Sequence, residues 1–179
     1  MPSPLGHACA GVAAGWLASR PADARAWAPT LTFAVVGMLP DVDLLFGAHS
    51  GPTHGVGAAL IVAGAALGLT RSWRWAGAVG AAYASHILLD WLGTDTKAPI
   101  GIMALWPLTR GYYESSLHVF MGVSRQIHHP DFWSYNLRAL IRELIVLIPI
   151  LVAVGVVRAR RADGDRPHTK ARRSRSNPG

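Results

Sequence analysis

Cysteine, charge and a leader-like N-terminus are what this sequence has least of. Cys9 is the only cysteine among 179 residues, which excludes an intramolecular disulfide and any cysteine-rich zinc site. Charged residues make up 15% of the chain, against roughly 25% in an ordinary soluble domain. That deficit says more than the hydrophobic share of 51%, which Ala and Gly inflate. The N-terminus lacks the basic region that opens a cleavable signal peptide, the first basic residue being Arg20. If such a chain resides in a membrane, its own helices are expected to insert it. Nor does it present a basic face. Residues 158–179 hold seven Arg, one Lys and two Asp, so +6 of the net +7 lies there. The basic balance describes a tail, and no nucleic acid is expected as a partner.

What the chain does have is five stretches that are uncharged or nearly so: Leu5–Ser19, Ala26–Pro40, Gly55–Thr70, Trp75–Leu89 and Leu144–Val157. Each is about 15 residues, somewhat short of the ~20 that cover a bilayer core. Flanking Trp16, Trp27, Trp73, Trp75 and Trp91 could extend them as interfacial anchors. The pattern predicts an all-α, polytopic membrane bundle of about four to five apolar helices, the alternative being a soluble protein with unusually apolar helices. Gly and Ala crowd the first, third and fourth stretches, where small residues let helices approach closely; a compositional bias would look the same. Residues 99–139, aromatic and too polar to span, are expected to fold as a cap over one end. The length fits one domain, read as a membrane-embedded unit over 1–157 and a basic disordered tail over 158–179. That tail is expected to lie against anionic lipid headgroups.

Loop charges give an orientation. With alternating crossings, Arg20 and Arg25, Arg71 and Arg74, and Arg158, Arg160 and Arg161 fall on one side, which the positive-inside rule makes cytoplasmic. The opposite, outward side receives the N-terminus, residues 41–54 and residues 92–140.

The side-chain chemistry collects on that same side. Residues 37–54 deliver Asp41 and Asp43 after Pro40, then His49 and His54. Hard oxygen and borderline nitrogen donors packed between apolar segments point to a divalent metal site. In an extended loop both carboxylates would face one way, or one could ligate while the other orients a histidine. Thr53 is expected to cap a helix opening at His54. His86 and Asp90, four apart, share a helix face inside an apolar segment, where ionisable groups mark function. His7 joins them through topology alone. For each, a plainer reading stands beside this one: a hydrogen-bonded i,i+4 pair, carboxylates at helix ends, solvated histidines.

His7, Leu39-Pro40-Asp41-Val42-Asp43, His49-x-Gly51-x-Thr53-His54, Ser85-His86-Ile87-Leu88-Leu89-Asp90 and Trp106-Pro107 together resemble the YdjM-like family of bacterial inner-membrane, metal-dependent hydrolases. The resemblance covers about residues 5–110. The family usually carries Arg after the first histidine of the His-x-Gly-x-Thr-His motif and Ser after the last; here Ser50 and Gly55 stand there. More distantly, the order of ligands is similar to that of zinc-dependent phospholipase C and the single-strand-specific zinc nucleases. Their later His and Glu ligands have no clean counterpart, Glu114, His118, His128 and His129 being candidates without the right spacing.

The expected function is a membrane-bound hydrolase of a phosphoester or similar anionic ester, small or lipid-linked; the hydrolase part follows from the resemblance. The expected cofactor is one to two divalent ions, Zn or else Mn. Asp90 would bridge two ions, His54 and His86 would ligate one each, and His7 with Asp41 or Asp43 would complete the shells. The other aspartate would accept the proton of the bound water. The rival is a metal-binding or metal-transport protein without hydrolase activity. A transport path should leave polar residues at successive depths, whereas here they gather at one end.

Overall fold

The computed structural model describes residues 1–20, 27–46 and 49–164. Among these, five α-helices form and no strand does: α1 Pro4–Ala18, α2 Trp27–Met38, α3 Val56–Thr70, α4 Trp73–Leu92 and α5 Phe132–Gly164. Two 3₁₀ segments, Leu39–Phe46 and Pro52–His54, join α2 to α3. Local chemistry accounts for the boundaries. Ser3 caps α1 by accepting the Gly6 N–H, with Pro4 in the first turn where a missing N–H costs nothing. Ser72 caps α4 through the Trp75 N–H, and α3 stops at Arg71 in a left-handed conformation (φ 54°).

The helices alternate in direction. The α1 start, the α2 end, the α3 start and the α4 end share one end of the bundle. Ser3 meets Glu143 of α5 there, and His7 meets His86 of α4. At the opposite end Trp16 hydrogen-bonds Thr30, while Arg158 reaches the Trp16 carbonyl and the Ser19 hydroxyl. Short α1 is therefore central, between α2, α4 and α5. Its crossing with α2 is backbone on backbone. A Cβ on Gly11 would stand 2.4 Å from the Phe33 carbonyl oxygen, and one on Gly37 would stand 2.6 Å from that of His7. Only glycine permits that approach, so close packing is one use of the small residues here.

Two helical stretches are long and apolar enough to cross a membrane: Trp27–Phe46, mean hydropathy 1.4, and Phe132–Gly164, mean hydropathy 2.6. Only 17% and 11% of their most apolar windows are buried inside the protein. A core helix of a soluble protein would be mostly buried; these instead turn Leu31, Val35, Ile145, Ile148 and Val152 outward. Of the four to five crossings expected, these two meet the length and composition required. Helix α3 is apolar but shorter.

Helix α5 departs from expectation. The charge-free stretch Leu144–Val157 is the middle of a 33-residue helix, roughly 50 Å long. It begins inside the predicted cap and runs past the predicted start of the tail. Glu143 and Arg158 end the apolar run without ending the helix, because Glu and Arg are good helix formers. Buried Glu143 is held by the Ser3 N–H at 2.6 Å and by the Ser3 hydroxyl. Tail residues 165–179 lie outside the described residues. The cap shrinks to residues 93–131, which carry isolated bridges between Gly93 and Phe120 and between Ile102 and Tyr113. It is tied to the α3 start, the Val56 and Gly57 N–H groups donating to Ala104 and Trp106 carbonyls at 2.9 and 2.8 Å.

Candidate metal centre

Four pieces of chain deliver side chains to the capped end. Helix α1 brings His7 and the last turns of α4 bring His86 and Asp90. The 3₁₀ segment after α2 brings Asp41 and Asp43, and the following link brings His49 and His54. The Asp41–Asp43 stretch is thus helical and not extended, because Pro40 presets a φ that suits a tight turn as well as a strand. Thr53 does not cap a helix; Pro52–His54 is its own short turn and Gly55 opens α3. The Thr53 hydroxyl instead donates to Asp43 Oδ2 at 2.9 Å.

Asp90, 2% exposed, is the hub. Its Oδ1 lies 3.3 Å from His7 Nε2, and its Oδ2 lies 3.0 Å from His86 Nε2 and 3.3 Å from His54 Nε2. Asp41 Oδ1 faces the same two histidines at 3.8 Å each and His49 Nδ1 at 4.0 Å. Asp43 stands behind His54, 3.3 Å from Nδ1, and 3.5 Å from His49 Nδ1. The His7 and His86 rings stack with centroids 3.6 Å apart.

His86 Nδ1 is 2.8 Å from the Gly37 carbonyl, which can only accept, so Nδ1 carries the proton. In the neutral ring Nε2 is then a lone pair, aimed at a carboxylate oxygen 3.0 Å away. His54 repeats the arrangement, with Nδ1 turned to Asp43 and Thr53 and Nε2 turned to Asp90. Lone pairs facing lone pairs in a buried place need a positive charge between them. His7 Nδ1, His54 Nε2, His86 Nε2 and both Asp90 oxygens are buried without a hydrogen-bond partner, which native interiors rarely tolerate. Burial opposes a proton on His54, yet Asp41 and Asp43 outweigh it and raise the imidazole to about 9. Where no metal is bound, a proton on His54 would supply that charge. Two groups have the spacing to hold a metal ion: buried His7, His86 and Asp90, and the more open Asp41, His49 and His54. The residues fit the ion that the sequence implies.

The family model of the YdjM inner membrane protein matches residues 1–162, which takes in every residue of this cluster. The chain belongs to that family. Searches of curated proteins and of solved structures return no match. Membership in an inner-membrane family agrees with the outward-facing apolar surfaces of α2 and α5.

Outside the cluster, the remaining sequence candidates are scattered over the cap. Glu114 accepts the Asp95 N–H at 2.7 Å and has His118 Nδ1 at 3.7 Å. His118 and His128 are exposed, and His129 Nδ1 accepts the Asp131 N–H. Among the described residues, no hydrogen bond or ion pair joins these four to the cluster. Three participants are absent from the sequence candidates. The Gly37 carbonyl has no sequence signature. Arg125 NH2 reaches His49 Nε2 at 3.2 Å across 76 positions. Tyr83, whose hydroxyl donates to the Thr53 carbonyl at 2.7 Å, was within reach, since 83, 86 and 90 share one helix face.

Proposed function

We propose that this inner-membrane protein is a metal-dependent hydrolase of phosphoesters or related anionic esters, with its centre at the capped, outward end of the bundle. One observation carries the reading: imidazole and carboxylate donors from four chain segments converge with their lone pairs turned inward. His7, His86 and Asp90 would hold one divalent ion, and the group around His54 a second, leaving Asp41 to act on the bound water. Asp90 faces both groups and is suited to be shared. A bound divalent ion, zinc or manganese, would acidify a water towards neutral pH and offset charge developing on the ester.

The residues around it divide by what else they touch. Asp43 is occupied by Thr53 and His54, so it fixes the His54 ring as a carboxylate behind a ligand does. The Gly37 carbonyl does the same for His86. Asp41, 21% exposed, is the carboxylate that can exchange a proton with solvent, which suits a general base. In the transport alternative, donors should continue down the bundle. Buried Glu143 and Arg158 are each engaged by α1 instead, which favours a site over a path.

The test is metal analysis of detergent-purified protein coupled to a phosphoester screen. Wild type is expected to carry one to two zinc or manganese ions and to hydrolyse an ester. Asp41→Asn should lose activity by about 10²-fold or more while keeping the ion held by His7, His86 and Asp90. Metal without hydrolysis of any ester would leave the metal-binding alternative; absence of metal would remove both.

A further inference from the structure

A cavity of about 710 Å³ adjoins the open side of the centre, within the size range of small-molecule sites. Three parts of the chain wall it: cap residues 95–97 and 122–126, the start of α5, and His49 of the candidate centre. Its lining supplies three cations, Lys97, Arg125 and Arg138. Two carboxylates share the lining. Asp95 is spent on the loop itself, its oxygens accepting the Lys97 and Gly101 N–H groups at 3.1 and 3.3 Å. Asp131 stands immediately before the α5 start. Phe132 and Tyr135 add aromatic surface from the first turn of that helix.

Arg125 links this space to the chemistry. Its NH2 lies 3.2 Å from His49 Nε2, and His49 Nδ1 lies 3.5 Å from Asp43 and 4.0 Å from Asp41. A guanidinium offers five donors in a fixed fork, and His49 occupies one of them. The fork geometry matches two oxygens of a phosphoryl group. An anion held there would lie beside the carboxylate and imidazole cluster.

We infer that this cavity is the phosphoryl-binding subsite, Arg125 gripping the substrate's anionic group with Arg138 and Lys97 in support, and the aromatic pair receiving its organic remainder. The inference rests on the hydrolase reading of the adjoining centre, but it is measured separately. The phosphoryl group could belong to a soluble ester or to a lipid headgroup.

The test is equilibrium binding of inorganic phosphate and of soluble short-chain phosphatidic acid to the full chain in uncharged detergent, with chelator present so that no metal contributes. Wild type is expected to bind at least one probe. Arg125→Gln should weaken binding about tenfold or more, the equivalent of one charge-assisted hydrogen bond, with metal content and thermal midpoint kept. Lys97→Gln, on an exposed loop, should weaken it less and serves if the arginine variant misfolds. Tighter binding of phosphatidic acid than of phosphate assigns a lipid headgroup, and equal binding a soluble phosphoryl group. Binding of neither probe, or unchanged binding in both variants, overturns the subsite. Loss of the metal reading alone would leave this binding intact.

Discussion

The two ends of this bundle are built from opposite materials. At the capped end, His7, His54, His86 and Asp90 are almost completely buried and their free atoms face one another. At the other end, Arg20, Arg71, Arg74, Arg160 and Arg161 are exposed, and Arg158 folds back onto the Trp16 carbonyl in the last turn of α1 and the Arg20 carbonyl just beyond it. One end concentrates donors that require a cation; the other supplies cations that satisfy helix ends and face outward. The difference explains why α1 can be so short. It needs only to hold His7 at one end and offer its last carbonyls to Arg158 at the other, with Gly11 against Gly37 between.

If the ends are functionally distinct, single changes should separate metal content from stability. Asp90→Ala should have the largest effect. It removes the carboxylate shared by three imidazoles, the one donor that faces both candidate ion positions. Bound metal, measured by mass spectrometry of purified protein, should fall by two to three decades in affinity, to background. Arg158→Ala should do the reverse: lower the thermal midpoint by an amount equivalent to about 1–3 kcal/mol for its lost charged hydrogen bonds, with metal content unchanged. Metal loss in the arginine variant would mean that the two ends are coupled.

Asp43→Asn separates, within the capped end, the ligands from the residues that orient them. Asp43 touches His54 Nδ1 and Thr53, and the amide keeps one acceptor oxygen for them. Orienting partners behind ligands typically contribute 10–100-fold to metal affinity. The expected outcome is therefore a weakened but measurable affinity by metal titration, between wild type and Asp90→Ala. A loss as complete as that of Asp90→Ala would make Asp43 a direct ligand.

Much of this arrangement was legible because membrane-facing segments and buried ionisable residues both stand out against a sequence poor in charge. The α1 and α3 limits fall within about one residue of the apolar runs Leu5–Ser19 and Gly55–Thr70, since Ser, Gly and Arg punctuate them. Helix α5 was not, because counting charge-free residues stops at Glu143 and Arg158, whereas a helix stops only where its hydrogen bonds do. The convergence of Asp41, His54, His86 and Asp90 followed from alternation of helix direction, a property of the whole chain. The partners that orient them did not follow. The Gly37 carbonyl and Arg125 act through tertiary placement, and nothing local in composition or spacing marks a backbone oxygen or a distant loop arginine.

The last expected effect, at most about tenfold for each pH unit, concerns the proton that shares the site with a metal. Against the opposing effect of burial, Asp41 and Asp43 raise the His54 imidazole from an ordinary 6.5 to about 9, which favours the imidazolium at neutral pH in the metal-free protein. Nε2 must lose that proton before it can bind a metal. Affinity measured by competition with a chromophoric chelator should therefore rise with pH, by about tenfold per unit at most, and level off above 9. Stability runs the other way. A folded value raised above the unfolded one contributes stability fully below 6.5, and that contribution is lost as pH rises through 9. The metal-free thermal midpoint should decline across this interval, while that of the loaded protein should hold, because the ion replaces the proton between the same donors. His54→Ala should flatten the first trend and weaken the second. A wild-type affinity that stays flat from 6.5 to 9 would remove His54 from the ligand set and leave His7, His86 and Asp90 as a single-ion site.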